Sequence, residues 1–295
     1  MTQLHPPKRA ATGTAPPGTA KVATHRPRRI RRLSGTIAGS AILAGLILAG
    51  FLAPLPHNPT TPDPGAILRP PDETHPMGTD GSGFDILARV IDAAQRDIPL
   101  ALGGVLVSIA IGVPIGLLAG GRGRWTGWVM RAVEVFQAFP LIVLAIIIVK
   151  VSGNRPENVV LALAIVNVPR FIRLVRGEVL TIRESRFVEA AVATGCSPAR
   201  VTFRHILPNV PGIILVQSSL AAANGIIVVA TLNFIGLGAN PPQPAWGAMI
   251  QDGSQYIPQG AWWAALFPGL AVFVTVVAFN LIADNLEHLL GVGRR

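Results

Sequence analysis

Few side chains in this sequence could do chemistry, and they are scattered. Glu134 stands three residues after Arg131 at the start of an apolar run. On a helix that i, i+3 spacing lets the two charges neutralise each other. Asp284 lies near the end of the last apolar run. Ionisable groups inside a membrane span are functional candidates because burying them is expensive. These sit at run ends and do not form the chain of acids that a proton relay requires. The remaining polar residues inside the runs are amides and hydroxyls. Of these Asn167, Gln217, Ser218, Asn224 and Asn280 are the candidates for a translocation path, and Ser219 lies among them. They suit either helix-to-helix hydrogen bonds or the lining of a wet path.

Several chemistries are missing. The only lysines are Lys8, Lys21 and Lys150, and none follows a glycine, so no G-x-x-x-x-G-K-[ST] loop exists to cradle a nucleotide phosphate. There is no H-E-x-x-H, which argues against a membrane zinc protease. Gly81-Ser82-Gly83 has a protease-like look but lies in a Gly/Asp-rich loop rather than in an apolar run. The single cysteine, Cys196, excludes an internal disulfide framework and a Cys-based zinc site. No catalytic residue, metal ligand or cofactor is expected on this chain.

The segment 181–209 is the most informative. Thr181 to Thr194 reads as a helix holding Glu189-Ala190-Ala191, with Gly195 as its left-handed stop. Ser197 can cap a second helix and Pro198 fits its first turn. That helix runs to Leu207, where Pro208 ends it. Ala199, Phe203 and Ile206 would share one face, and Arg200 and Arg204 would form a basic strip beside it. Such a knob suits docking in a groove of another chain. It equally suits an amphipathic helix lying on a membrane surface.

The elements that must position this knob are membrane spans. Half of the 295 residues are hydrophobic and only 14% are charged, against about 25% in soluble domains, and the mean hydropathy is +0.50. Apolar stretches occur near 33–55, 98–120, 128–151, 157–178, 211–237 and 264–287; five comfortably meet the roughly 20 residues a spanning helix needs, and the fourth, with only Asn158 to Pro169 before its arginines, is kept as a span because the loop charges below require it. In the fourth, Arg170, Arg173 and Arg176 share a face and can snorkel to the headgroups. The first stretch also fits a cleaved signal peptide with Arg28-Arg29 before it, but Leu33–Ala53 is longer than a usual apolar signal region, which favours an uncleaved anchor. Segments 1–32, 121–127, 170–209 and 288–295 carry a net charge of +16, and 54–97, 152–157 and 238–262 carry −5. The two sets alternate across six spans, so the positive-inside rule predicts cytoplasmic termini.

The expected organisation is therefore an all-α polytopic membrane protein. It has a disordered basic tail at 1–32, an anchor helix at 33–55, an extracytoplasmic segment at 56–97, a five-helix core at 98–290 and a tail at 291–295. The sequence pI of 11.4 mostly describes the first 32 residues, whose Arg31 and Arg32 would meet anionic lipid, so nucleic acid is not an expected partner. Small residues at Gly35 and Gly39, and at Gly112, Gly116 and Gly120, permit close helix contact in lipid.

Glu189-Ala190-Ala191, Gly195, then Leu207-Pro208 resembles the cytoplasmic loop motif of ABC importer permeases. More of the chain is similar to the dipeptide/oligopeptide/nickel branch: His75 to Asp80, Met130-Arg131, Ala138-Phe139-Pro140, Pro169-Arg170, Arg173 to Glu178, Arg204 to Asn209, Asn233 to Gly238, Pro241-Pro242, Trp246 to Met249, Trp262-Trp263 and Phe279 to Leu281. The likeness spans residues 70–290 and is strongest to the second of the two permeases that such importers carry. Phe84 and Ala93 to Asp97 depart from the family pattern, and Cys196 replaces a small apolar residue.

The resemblance implies a type I importer architecture in a bacterial plasma membrane. It implies a homologous second permease, two ABC ATPase subunits carrying ATP and Mg, and an extracytoplasmic solute-binding protein as partners. The ATPase-coupling residues would be Glu189, Ala190, Ala191, Gly195, Ser197, Ala199, Arg200, Phe203, Arg204, His205, Leu207 and Pro208. Di- or oligopeptides are the implied cargo. The competing reading is a six-span, ion-coupled secondary transporter.

Overall fold

A computed structural model describes residues 28–291 apart from 53, 54, 56, 122 and 124, with the side chains of 28–34 and 50–52 also outside the description. The expected tail at 1–32 lies almost wholly outside the described residues, as do residues 292–295 of the expected C-terminal tail. Among the described residues the chain is helical, with no strand beyond one isolated bridge between Thr79 and Asp85.

The helices are α1 (Arg28–Leu52), α2 (Ile86–Ala119), α3 (Thr126–Gln137), α4 (Leu141–Ser152), α5 (Pro156–Arg183), α6 (Arg186–Ala193), the short α7 (Pro198–Arg200), α8 (Pro211–Phe234), α9 (Trp246–Ser254) and α10 (Trp263–Leu290). Four of them, α2, α5, α8 and α10, are long and apolar enough to cross a bilayer. α1 adds an apolar run at Gly35–Ala49.

The stretch 128–151 is not one straight span. It breaks into α3 and α4, which meet at 84°. Pro140 causes the break: it has no amide hydrogen for the helix ladder, and its ring pushes Phe139 away from helical geometry. Pro140 itself is extended, with ψ 116°. Each 12-residue piece is about 18 Å long, short of the roughly 30 Å hydrocarbon core. Together they make a fifth, bent candidate span. Pro169, by contrast, sits inside α5 without breaking it. The helix at 98–120 also begins earlier, at Ile86, because Asp85 caps it by accepting from the amide of Ala88 at 2.7 Å.

The most extensive helix contact is between α2 and α5. Gly104, Ser108, Gly112, Gly116 and Gly120 recur every four residues, which puts them along one face of α2. A Cβ added at Gly104 would lie 2.5 Å from Leu163 Cβ, one at Gly112 would lie 2.7 Å from Phe171 Cβ, and one at Gly116 would lie 2.9 Å from the carbonyl of Ile172. Ser108 Oγ donates to Gly104 O at 2.6 Å and lies 3.3 Å from Ala164 O across the seam. Gly35 and Gly39 do the same for α1 on α10, against Asn285 and against Ala278 and Ile282. The main core gathers Ile98, Ala101 and Val105 of α2 with Val159 and Leu163 of α5, Ile226 and Val229 of α8, and Phe279 of α10. Outward-facing Leu106 and Phe273 are 65% and 63% exposed, as suits side chains that meet lipid.

Gly116→Val should over-fill the α2–α5 seam, at a cost of about 1–3 kcal/mol. Thermal unfolding of the purified chain should show a lowered midpoint, and Gly127→Val, where a Cβ meets nothing within 4 Å, should not.

Candidate functional site

The segment after α5 folds into a compact arm. α5 stops at Arg183, and α6 starts afresh at Arg186 rather than continuing the same helix. Ser185 marks the break: its backbone is extended, at ψ 146°. α6 ends in a Schellman motif. The amide of Cys196 donates to Ala191 O at 3.1 Å, and that of Gly195 donates to Val192 O at 2.9 Å. Gly195 has φ +83° and an added Cβ there would meet nothing within 4 Å. The glycine is therefore required for its backbone geometry alone.

Ser197 caps α7, accepting from the amide of Arg200 at 3.4 Å, and Pro198 takes the first position as expected. The expected regular helix to Leu207 does not form. α7 is three residues long, Val201–Ile206 is a π turn, and Leu207–Asn209 is a 3-10 turn. The amide of Leu207 reaches back five residues to Thr202 O. Thr202 Oγ1 donates to Pro198 O at 3.0 Å, competing with the backbone for that carbonyl.

The wider turn changes which residues share a face. Ala199 and Phe203 point outward, with Phe203 61% exposed, but Ile206 is fully buried. The single apolar face of Ala199, Phe203 and Ile206 is thus split. Val201 and Ile206 join a second core with Leu117 of α2, Val175, Val179 and Ile182 of α5, Val188 of α6 and Val210. Arg183 Nη2 donates to Thr202 Oγ1 at 3.2 Å. Leu207 and Cys196 rest on the same core. Glu189, Ala190, Ala199, Arg200, Phe203, Arg204 and Pro208 are exposed, His205 is half-buried, and Ala191 is buried. The arm is fixed to the ends of α2 and α5 by one side and offers Phe203 and two arginines on the other.

The path candidates are only partly brought together. Asn167 and Asn224 line one depression of about 460 Å³, with Arg170 and with Pro140 at the α3–α4 break. Gln217, Ser218 and Asn280 are not among the residues lining it. Asn167, Ser218, Asn224 and Asn280 each donate to a carbonyl four residues earlier on their own helix, so most of their polarity is satisfied locally.

At the opposite end from the arm, two constellations escaped sequence reasoning. Asp97, buried, accepts from the Trp246 amide at 3.0 Å, with Asn233 Nδ2 at 3.5 Å from its other oxygen. Trp246 Nε1 donates to Val90 O at 3.0 Å. This joins α2, α8 and α9. Nearby, His57, His75 and Asp85 meet within the loop before α2. That loop is internally braced: hydrogen bonds from the Thr74 hydroxyl and the His75 amide hold the exposed Asp72 carboxyl low, at about 2. Separations of 149 and 10 residues carry no periodic signal, so neither cluster was legible.

Candidate spanning helices joined by small-residue seams, with an arm packed on one end, define an all-helical membrane protein. Residues 112–292 match the family described as "Binding-protein-dependent transport system inner membrane component". Relatives include the dipeptide transport system permease protein DppC of Alkalihalophilus pseudofirmus, 38% identical over 89% of this chain and 87% of that protein. The probable D,D-dipeptide transport system permease protein DdpC of Escherichia coli K12 is 36% identical over 86% of each chain. The glutathione transport system permease protein GsiD of Pectobacterium atrosepticum is 40% identical over 75% of this chain and 73% of that protein. The chain belongs to the binding-protein-dependent inner-membrane permeases, the membrane subunits of ABC importers, and the secondary-transporter reading is set aside.

Replacing Gly195 by alanine forces a left-handed L-residue, at about 1–2 kcal/mol, while Gly195→Asn costs less. Hydrogen exchange at the Cys196 amide should quicken about 5- to 30-fold in the alanine variant, with asparagine between it and wild type. Equal exchange in all three would contradict the backbone role of Gly195.

Proposed function

We propose that this permease moves di- or oligopeptides inward, by alternating access driven from outside its own chain. The cargo class rests on the peptide-named relatives, glutathione being itself a tripeptide. The chain would pair with a homologous permease, receive cargo from an extracytoplasmic binding protein, and bind two ATPase subunits that hold ATP and Mg. In this reading α1, the bent α3–α4 pair and the four long helices make six spans. The strongly basic segments support a topology in which both termini and the arm would lie in the cytoplasm, with the loop 57–85 outside.

The observation that carries the proposal is the two-sided build of the arm. Val201 and Ile206 seat it on the ends of α2 and α5, while Phe203 stands 61% exposed between two arginines. An exposed aromatic with flanking cations suits an anchor for a groove with an acidic rim. Motion of an ATPase would reach α5 through a contact with no slack. Glu189, exposed on α6, would add a charge for the same partner. The depression at Asn167 and Asn224 is the part of the path this subunit would contribute. Cargo and ATP act only through their different affinities for the inward and outward states.

Two results would test this. Phe203→Asp should cost about 2 kcal/mol or more at the docking surface, so ATPase co-purification should fall about thirtyfold with membrane insertion intact. Recovery of the ATPases at wild-type yield would contradict groove docking. Glu189→Lys and Gly195→Asp should each abolish ATP-driven peptide uptake in vesicles, and undiminished uptake would remove the coupling role.

A further inference from the structure

We propose that His57, His75 and Asp85 form a binding site for one divalent transition-metal ion, with zinc as its reference occupant. His75 Nδ1 lies 2.8 Å from Asp85 Oδ2, and His57 Nδ1 lies 3.6 Å from the same oxygen. All three atoms fall within 4.8 Å of one another. Bonds of about 2.0 Å in a tetrahedral zinc site place neighbouring ligands about 3.3 Å apart, a spacing that the two observed distances bracket. The imidazoles stack with centroids 4.4 Å apart, so both rings present Nδ1 to the same carboxylate.

The protein alone leaves this cluster incomplete. His75 satisfies Asp85 Oδ2, and the Ala88 amide satisfies Oδ1 at 2.7 Å. His57 Nδ1 is buried and has no hydrogen-bond partner. A buried ring nitrogen without a hydrogen-bond partner, 3.6 Å from a carboxylate oxygen, calls for a further partner, and a cation shared with that carboxylate would supply it. The nearby cation does not fill it. Arg89 Nη1 lies 3.3 Å and 3.4 Å from Pro59 O and Pro242 O, its Nε lies 3.9 Å from Asp80, and its guanidinium covers the Phe84 ring.

The ligands are also held in place. Asp85 is the N-cap of α2. The His75 amide donates to Asp72 Oδ1 at 2.6 Å, and the His75 carbonyl accepts from Gly78 at 2.8 Å. Two imidazoles and one carboxylate select zinc, copper, nickel or cobalt over magnesium and calcium, which prefer all-oxygen sites. Three protein ligands leave a fourth position for water. The His57 side chain, 37% exposed, gives an ion its way in. A bound ion would clip the chain after α1 to the start of α2. The inference rests on this loop alone and stands whether or not the transport reading holds.

The test uses the full-length, tag-free chain, stripped with chelator, equilibrated with zinc, and dialysed. Metal per chain is read by mass spectrometry and thermal stability is followed in parallel. The expected result is one zinc per chain and a raised unfolding midpoint in wild type. His57→Ala should bind at least about tenfold more weakly, since even outer partners of metal ligands contribute that much. Zinc should raise its unfolding midpoint by much less than it raises that of wild type, each variant being compared with its own chelator-treated state, because the stacked His57 ring also packs on His75. Asp85→Asn is the second variant, retaining an oxygen for the Ala88 amide. Wild type that retains no zinc, or retains as much as His57→Ala does, would overturn the site.

Discussion

The architecture depends on one constraint: α2 and α5 must approach almost backbone to backbone. In lipid, the hydrophobic effect does not drive helices together, because the surrounding tails are as apolar as leucine. Association has to come from close van der Waals contact and shared hydrogen bonds. The stripe of Gly104, Ser108, Gly112, Gly116 and Gly120 supplies both, by removing side chains from the contact and adding one hydroxyl that reaches across it. A side chain added at any of these glycines meets Leu163, Phe171, Val175 or Val179.

That seam gives the arm something stiff to act on. Leu117 lies between Gly116 and Gly120 in sequence, and Val175 and Val179 meet those same glycines, and all three belong to the core that seats Val201 and Ile206. Seam and arm therefore share side chains. In the proposed mechanism, a push on Phe203 is delivered through Ile206 to α5 and α2 together. Close-packed interiors transmit strain rather than absorb it. At the other end, Asp97 fixes α2 to the Trp246 amide and so to α9, wedged against α8 and α10. α2 is held at both ends by different means, by glycines below and a buried carboxylate above.

Much of this was legible. The apolar stretches, the glycine spacing and the Gly195 stop followed from period, length and backbone sterics, which are local properties. The failures share a cause. The bend at Pro140 was missed because hydropathy averages over a break whose two halves are equally apolar, while Pro169 was passed through by α5. The face of the arm was misassigned because a 3.6-residue period was imposed on a π turn, created by a Thr202 hydroxyl competing for a carbonyl. Asp97 with Trp246, and His57 with His75 and Asp85, are tertiary meetings. No spacing along the chain announces them.

The central claim is that the arm and the ends of α2 and α5 move as one body. Spin labels at Ala193 and Leu118, both exposed and outside the docking residues, with Cys196→Ala to remove the native thiol, read that directly by pulsed electron resonance in the assembled transporter. The distance distribution between them should be the same without nucleotide and with ATP trapped. A shift near 5.4 Å, about one helical turn, would mean that the arm slides on its seat, and the rigid-arm account would fail.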